Sequence, residues 1–304
     1  MIKAPDISIV ILNYNSIFFL EKCLKSVKES KLNGLSIEII VIDNASSDGS
    51  AKKIRKSHPE VTLIESGKNI GFAAGNNLAK KLVKGQYLLF LNPDTVLEKD
   101  TLFKTFQFME ENSKVGAATC RLQLPNGKLD YSTHRGFPTP TNALFYFFIP
   151  LAKVFPKSKA FSGYTLGWKL SDSEPHEVDA ISGAFFFVRA EAAKKVGWWD
   201  EDYFWYGEDL EFCYQLKKEG WKIMFITGAS AIHYKGVSSG IKKHSQEFSS
   251  ASEETKRRSV VASIEVMRIF YKKHYLNKYP KIVSFIVLTG IKLLERVRLL
   301  SIKK

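Results

Sequence analysis

The run Ile7-Ser8-Ile9-Val10-Ile11-Leu12, continued by Asn13-Tyr14-Asn15, decides how this chain is read. Six residues, five of them large and apolar, end abruptly in amides, which is the composition of a strand buried on both faces and released into a loop. The same grammar recurs at 37–42 before Asp43-Asn44, at 61–65, at 86–91 before Asn92-Pro93-Asp94, and at 115–120. Between these runs, residues 16–29, 48–56, 72–84 and 99–111 are amphipathic and read as helices, with Asp48 placed to cap the second. Alternation of this kind predicts an α/β fold built on a mostly parallel, doubly wound sheet, in which ligands sit at the carboxyl ends of the strands.

Length and composition agree. A chain of 304 residues with 45% hydrophobic and 25% charged residues buries a sizeable core, which excludes disorder and disulfide scaffolds. Three cysteines, Cys23, Cys120 and Cys213, without close or metal-ligand spacing, point to a reducing, cytoplasmic setting. The N-terminal apolar run is too short for a signal peptide. The formal charge of +14 is concentrated in the tail, where residues 255–304 carry thirteen Lys and Arg against Glu265 and Glu295.

After Arg121 the pattern changes. Pro125-Asn126-Gly127 reads as a tight turn between 121–124 and 128–132. The aromatic cluster Leu144-Phe145-Tyr146-Phe147-Phe148 reads either as a core helix or as a lip for an apolar acceptor. A long strand-like run spans 177–189, a helix 208–219, a strand 222–226, and a loop carries His233. One domain therefore extends to about residue 250, in two halves, 1–120 and 121–250.

Three strand tips, Asn13-Tyr14-Asn15, Asp43-Asn44 and Asn92-Pro93-Asp94, fall on one edge of such a sheet. One carboxylate there suits the imide N–H of a uracil or thymine, another a divalent cation on a diphosphate; each singly is also an ordinary helix cap. The stretch 69–77 (Asn-Ile-Gly-Phe-Ala-Ala-Gly-Asn-Asn) lets backbone approach a ligand, and it carries neither a dinucleotide fingerprint nor a phosphate-loop lysine. Glu208-Asp209, preceded by Trp205 and Tyr206, joins paired carboxylates to aromatic platforms for a sugar, an arrangement suited to general-base work. The alternative is a carboxylate pair stabilised by a helix dipole.

Taken together and in order, residues 9–15, 41–50, 69–77, 91–95 and 206–211 resemble glycosyltransferase family 2 enzymes of the GT-A type, above all the bacterial rhamnosyltransferase-like branch, over about residues 6–240. The resemblance implies that Asn13, Tyr14, Asp43, Asn44, Asn69, Gly71, Asn76, Asn92 and Asp94 hold the nucleotide. It implies that Asp94 and His233 bind a divalent metal, Mg²⁺ or Mn²⁺, that Asp209 is the catalytic base, and that Trp205, Tyr206 and Glu208 meet the acceptor. Asn92 replaces the first Asp of the family's D-x-D, a form the branch shares, which removes one ionic ligand. The implied reaction is an inverting transfer, best fitted to L-rhamnose from dTDP-rhamnose onto a saccharide or lipid-linked saccharide in cell-surface polysaccharide synthesis. The alternatives are a UDP-sugar transferase (galactofuranosyl or hexosyl) of the same fold and a non-catalytic sugar-binding subunit.

The tail reads as a basic helical extension, 251–304. Val260, Ile264, Met267 and Tyr271 recur at helical spacing, predicting a helix over 254–275. The run 282–291 is too short to cross a bilayer, which needs about 20 residues. Leu293, Leu294, Val297 and Leu300 fall on one side and Lys292, Glu295 and Arg296 on the other, the pattern of a membrane-interface helix over 281–304. Four cations on anionic headgroups contribute about 4 kcal/mol at ~1 kcal/mol each. The expected location is the inner face of the cell membrane; the alternative is packing against the domain or a second copy in a homodimer. Nucleic acid is excluded as a partner, because no groove-reading motif is present and an acidic crevice repels phosphates.

Overall fold

The strand runs of the first half form where their apolar composition places them. The computed structural model describes residues 4–170, 173–236 and 253–302. In order come β1 (Ile7–Asn13), α1 (Ile17–Lys28), β2 (Ile37–Asp43), α2 (Ser50–Ser57), β3 (Thr62–Glu65), α3 (Phe72–Asn77), β4 (Tyr87–Leu91), β5 (Thr95–Leu97), α4 (Thr101–Glu111) and β6 (Val115–Gln123). The second half contains α5 (Pro140–Ala143), a π-helical turn (Leu144–Phe148), α6 (Leu151–Val154), β7 (His176–Glu177), β8 (Phe185–Arg189), α7 (Ala190–Val196), α8 (Glu208–Lys218), β9 (Lys222–His233), α9 (Glu253–His274) and α10 (Lys281–Ile302).

The sheet runs β3-β2-β1-β4-β8-β6-β9-β5, with β7 also on β9. Its first four strands are parallel, as expected. β8 enters antiparallel between β4 and β6, and β5 and β7 are antiparallel to β9, so the whole sheet is mixed. Both faces are covered. Ile7, Ile9 and Ile11 pack with Leu20, Cys23 and Leu24 of α1, while Val10 packs on the other side with Trp199 and Phe212. Each such side chain contributes about 1.5–3 kcal/mol when fully buried. A one-residue slip of β1 would exchange the two sets, so the core fixes the register that sets Asn13 opposite Asp43.

Several local expectations are corrected. Gly49, at φ +84°, is the N-cap of α2, and Asp48 instead accepts from the amides of Ser50 (3.0 Å) and Ile17 (2.9 Å), tying the first turns of α2 and α1 together. α3 ends at Asn77 and tightens into a 3₁₀ turn, Leu78–Lys81. The Asn126-Gly127 turn closes with Gly127 N–H donating to Leu124 O, yet only Gln123 and Leu129 bridge before a 3₁₀ turn, Tyr131–Thr133, so no second strand follows. The run expected as one strand over 177–189 is split into β7 and β8. His233 lies at the end of β9, not in a loop, because the ladder with β6 skips from Ile226 to Ser230 through a bulge and then continues.

α9 covers the carboxyl-end side of the site. Ile264, Phe270 and Tyr271 are buried, and His274 Nε2 meets Glu211 Oε2 of α8 at 2.6 Å. α10 packs on α9 through Tyr271 and Ser284 (3.0 Å between hydroxyls) and through Arg268 and Glu295 (2.7 Å). The boundary expected near residue 250, and Lys303 and Lys304, lie outside the described residues, as does the side chain of Leu300.

Candidate active site

Strand tips and loops of both halves enclose one cavity of about 770 Å³. On the side of the β1, β2 and β4 tips, Asn44 organises the wall. Its Nδ2 donates to Asn69 Oδ1 (3.1 Å) and Gly71 O (3.3 Å), and its Oδ1 accepts from Ile70 N–H (3.0 Å). Gly71 is required there: its φ is +87°, and a Cβ would stand 2.5 Å from Phe204 O. Phe72 N–H donates to that same oxygen (2.9 Å), which binds the 69–72 loop to the segment before α8. Tyr14, Asn44, Asn69, Gly71, Asn92 and Asp94 reach the cavity wall.

Asn13, Asp43 and Asn76 are buried behind that wall. Asp43 accepts from Asn13 Nδ2 (3.2 Å) and Ser46 N–H (2.9 Å), and Asn76 Nδ2 donates to Phe72 O (3.0 Å). Asn13 and Asp43 meet because β1 and β2 end in register, and they brace the Asn44 tip from beneath.

The second constellation arises where β5 pairs with β9, Thr95 facing His233. His233 Nε2 lies 3.3 Å from Asp94 Oδ1, and its Nδ1 lies 2.8 Å from Asp130 Oδ2. Lys235 pairs with the other Asp130 oxygen. Burial alone would push the His233 imidazole down, but Asp94 and Asp130 outweigh it and hold it up at about 9. Two ligands set at right angles on an octahedral Mg²⁺, each at about 2.1 Å, stand about 3.0 Å apart, so the Asp94–His233 spacing fits such an ion. With a cation bound, the Nε2 proton would be displaced, and Asp130 on the far ring nitrogen would keep the remaining proton on Nδ1. Among the described residues no cluster of three or more His, Cys, Asp or Glu side chains is arranged to hold a metal, so further ligands would come from diphosphate and water.

The third constellation is at the first turn of α8. Tyr206 (φ +72°) and Gly207 (φ +82°) turn the chain sharply into the helix, and a Cβ on Gly207 would meet Val266 of α9 at 2.4 Å. Trp205 and Tyr206 stack with their planes 8° apart and line the cavity with Glu208 and Asp209. Asp209 Oδ2 accepts from Arg135 Nη2 at 2.7 Å, and Arg135 also donates to Ile181 O at 3.1 Å. Glu208 is 6% exposed and its Oε2 finds no hydrogen-bond partner among the described residues. Burial, then the charge of Asp209, push its carboxyl up to about 8. Both causes favour the protonated form of Glu208, in which it is a hydrogen-bond donor.

The aromatic cluster settles between its two readings. None of residues 144–148 is buried, and Leu144, Phe147 and Phe148 line the cavity, so it forms a lip and not a core helix. Val266, Met267 and Ile291 of α9 and α10 extend the apolar wall. Arg135 and Asp130 escaped the sequence reading. Each is a lone charge in a loop, 74 and 103 residues from its partner, with no local pattern to mark it.

A mixed sheet whose strand tips present amides and a carboxylate–histidine pair on one side of a cavity, and a carboxylate pair on the other, defines a GT-A glycosyltransferase. Solved structures agree on the fold. The chain superimposes on the mannosyltransferase PcManGT from Pyrobaculum calidifontis in complex with GDP-Man and Mn²⁺ with a TM-score of 0.56 at 16% identity, over 89% of this chain and 65% of that one. It superimposes on GalNAc-T7 with UDP, GalNAc and Mn²⁺ with a TM-score of 0.57 at 16% identity, over 77% and 44%. It thus spans less than two thirds of either structure's chain.

The profile described as Glycosyl transferase family 2 matches residues 8–173, and the chain belongs to that family. It is 27% identical over 235 residues to Rhamnosyltransferase WbbL of Escherichia coli (strain K12), covering 74% of this chain and 82% of that protein. It is 25% identical over 217 residues to N-acetylglucosaminyl-diphospho-decaprenol L-rhamnosyltransferase of Mycobacterium tuberculosis (strain ATCC 25618 / H37Rv), covering 67% and 68%. The protein is a glycosyltransferase family 2 enzyme, and these relatives are rhamnosyltransferases. No helix among the described residues is long and apolar enough to cross a membrane.

Proposed function

We propose that this enzyme transfers L-rhamnose from dTDP-rhamnose, with inversion, to a lipid-linked saccharide at the inner face of the cell membrane during cell-surface polysaccharide synthesis. The observation that carries the reading is that the Asp94–His233 pair and the Glu208–Asp209 pair line the same cavity. The names of the two rhamnosyltransferase relatives support the donor, and that of the second supports a lipid-linked acceptor. The apolar lip and the α9–α10 wall suit the hydrocarbon of such an acceptor.

The geometry supports the following roles. Tyr14, Asn44, Asn69 and Gly71 hold the nucleoside, with Asn13, Asp43 and Asn76 supporting them. The acceptor sugar lies against Trp205 and Tyr206, and Glu208, neutral, donates a hydrogen bond to it. Asp209, fixed by Arg135, takes the proton of the acceptor hydroxyl as that oxygen bonds to the anomeric carbon and the bond to the diphosphate oxygen breaks. A divalent cation held by Asp94 and His233 would offset the charge gathering on the departing diphosphate.

A thermal-shift screen of dTDP-rhamnose, UDP-galactofuranose and UDP-glucose, with and without Mn²⁺, tests the donor. A ligand at 100 times its dissociation constant stabilises by about 2.7 kcal/mol, and we expect dTDP-rhamnose to give the largest shift. Stabilisation by the uridine sugars alone would replace this donor with the UDP-sugar alternative.

A further inference from the structure

α10 is apolar on two faces, one packed inward and one turned to solvent. Ser284, Val287, Leu288 and Ile291 face inward, while Ile282 (65% exposed), Phe285 (68%), Ile286 (62%), Leu293 and Val297 form one outward stripe. Lys281, Lys292 and Arg296 are exposed alongside it. The one acid of the helix, Glu295, is paired with Arg268 of α9. A contiguous exposed apolar stripe of this kind marks a contact surface.

A second apolar element lies next to it. Phe148, Ile149, Val154 and Phe155 are exposed, Val154 to 65%. The two elements touch: a Cβ on Gly290 would stand 3.3 Å from Phe148 Cζ. Phe148, Ile286 and Gly290 all line the cavity, and Phe148 and Ile286 are also solvent-exposed, so the cavity reaches the surface beside both elements. Residues 131–171 contain no Asp or Glu, and Lys153, Lys157 and Lys159 are exposed there.

We infer that the outward face of α10 and the 148–155 segment form one docking surface for an anionic lipid bilayer, with the mouth of the cavity opening onto it. Its purpose rests on the proposed function, because a lipid-linked acceptor would then pass from bilayer to site without crossing water. Charge selects the bilayer over a second copy of the chain. A two-fold contact through this face sets same-signed rows of Lys and Arg against each other, whereas anionic headgroups complement both rows while the apolar side chains enter the acyl boundary.

The test is co-flotation of the full chain with phosphatidylcholine vesicles, with and without 30% phosphatidylglycerol (a chosen composition, about one anionic lipid in three). Ile282→Ser/Phe285→Ser and Val154→Ser/Phe155→Ser change exposed positions outside the cavity wall, and unchanged melting and donor-induced shifts verify their folds. We expect the wild type to partition at least tenfold more strongly into the anionic vesicles, about 1.4 kcal/mol, and each double variant to lose at least tenfold. Absence of wild-type binding, or binding that ignores lipid charge, overturns the inference. Loss confined to the α10 variant overturns the two-element surface. A concentration-dependent dimer that either variant dissolves, without vesicle binding, assigns the face to self-association instead. Transfer to a water-soluble acceptor without vesicle binding would defeat this inference alone, and vesicle binding without any sugar transfer would defeat the proposed function alone.

Discussion

Replacing Glu208 by Gln makes the protein more stable, and increasingly so as pH rises. The Glu208 carboxyl is raised from 4.5 to about 8, first by burial and then by the charge of Asp209. Between those two values the native state holds a proton that the unfolded chain has released. Stability therefore falls as pH rises, by about 1.4 kcal/mol per unit at most. The full interval sets a ceiling on the order of 4–5 kcal/mol, and about 2–4 kcal/mol is the expected cost above pH 8. Gln keeps the shape and the neutral charge of the protonated acid at every pH. With about 2–3 °C per kcal/mol for a chain of this size, the variant should melt within about 3 °C of the wild type at pH 5 and about 4–12 °C above it at pH 8.5. Differential scanning calorimetry across pH 5–8.5 reads this directly. An offset that stays constant with pH, or a variant less stable than the wild type at pH 8.5, would refute the assignment of a buried, neutral Glu208.

Two further substitutions probe the rest of the site. Asp130→Asn removes the carboxylate that orients His233, and Mn²⁺ affinity measured by calorimetry with the nucleotide present should weaken about 10–100-fold. Unchanged affinity would separate Asp130 from the metal site. Gly71→Ala forces a side chain into a left-handed backbone position against Phe204 O; a loss of about 2–4 kcal/mol in denaturant unfolding is expected, and neutrality would show that the 69–72 loop is not held as described.

How much of this was legible in the sequence follows from where the determining contacts lie. β1, β2 and β4 read correctly because strands buried on both faces leave continuous apolar runs that end at polar tips, and the tips then fell together at the cavity or directly behind it. β5 was missed because three residues, Thr95–Leu97, give no periodicity to detect. β9 was cut short because Thr227-Gly228-Ala229-Ser230 reads as a loop while in fact forming a bulge within the strand. Asp94, Asp209 and His233 stood out through residue type and motif, but Arg135 and Asp130 acquire their meaning only when distant loops close on the site. The outward apolar stripe of α10 was partly visible as amphipathicity, although Glu295, grouped with Lys292 and Arg296 on the polar side, pairs with Arg268.

The central claim is that Asp209 accepts the proton of the attacking hydroxyl. Asp209→Asn, assayed for sugar transfer and for donor-induced thermal shift in the same preparation, should keep the shift within about 1 °C while turnover falls about 10²–10⁴-fold. Turnover within tenfold of the wild type, with the donor still bound, would contradict it.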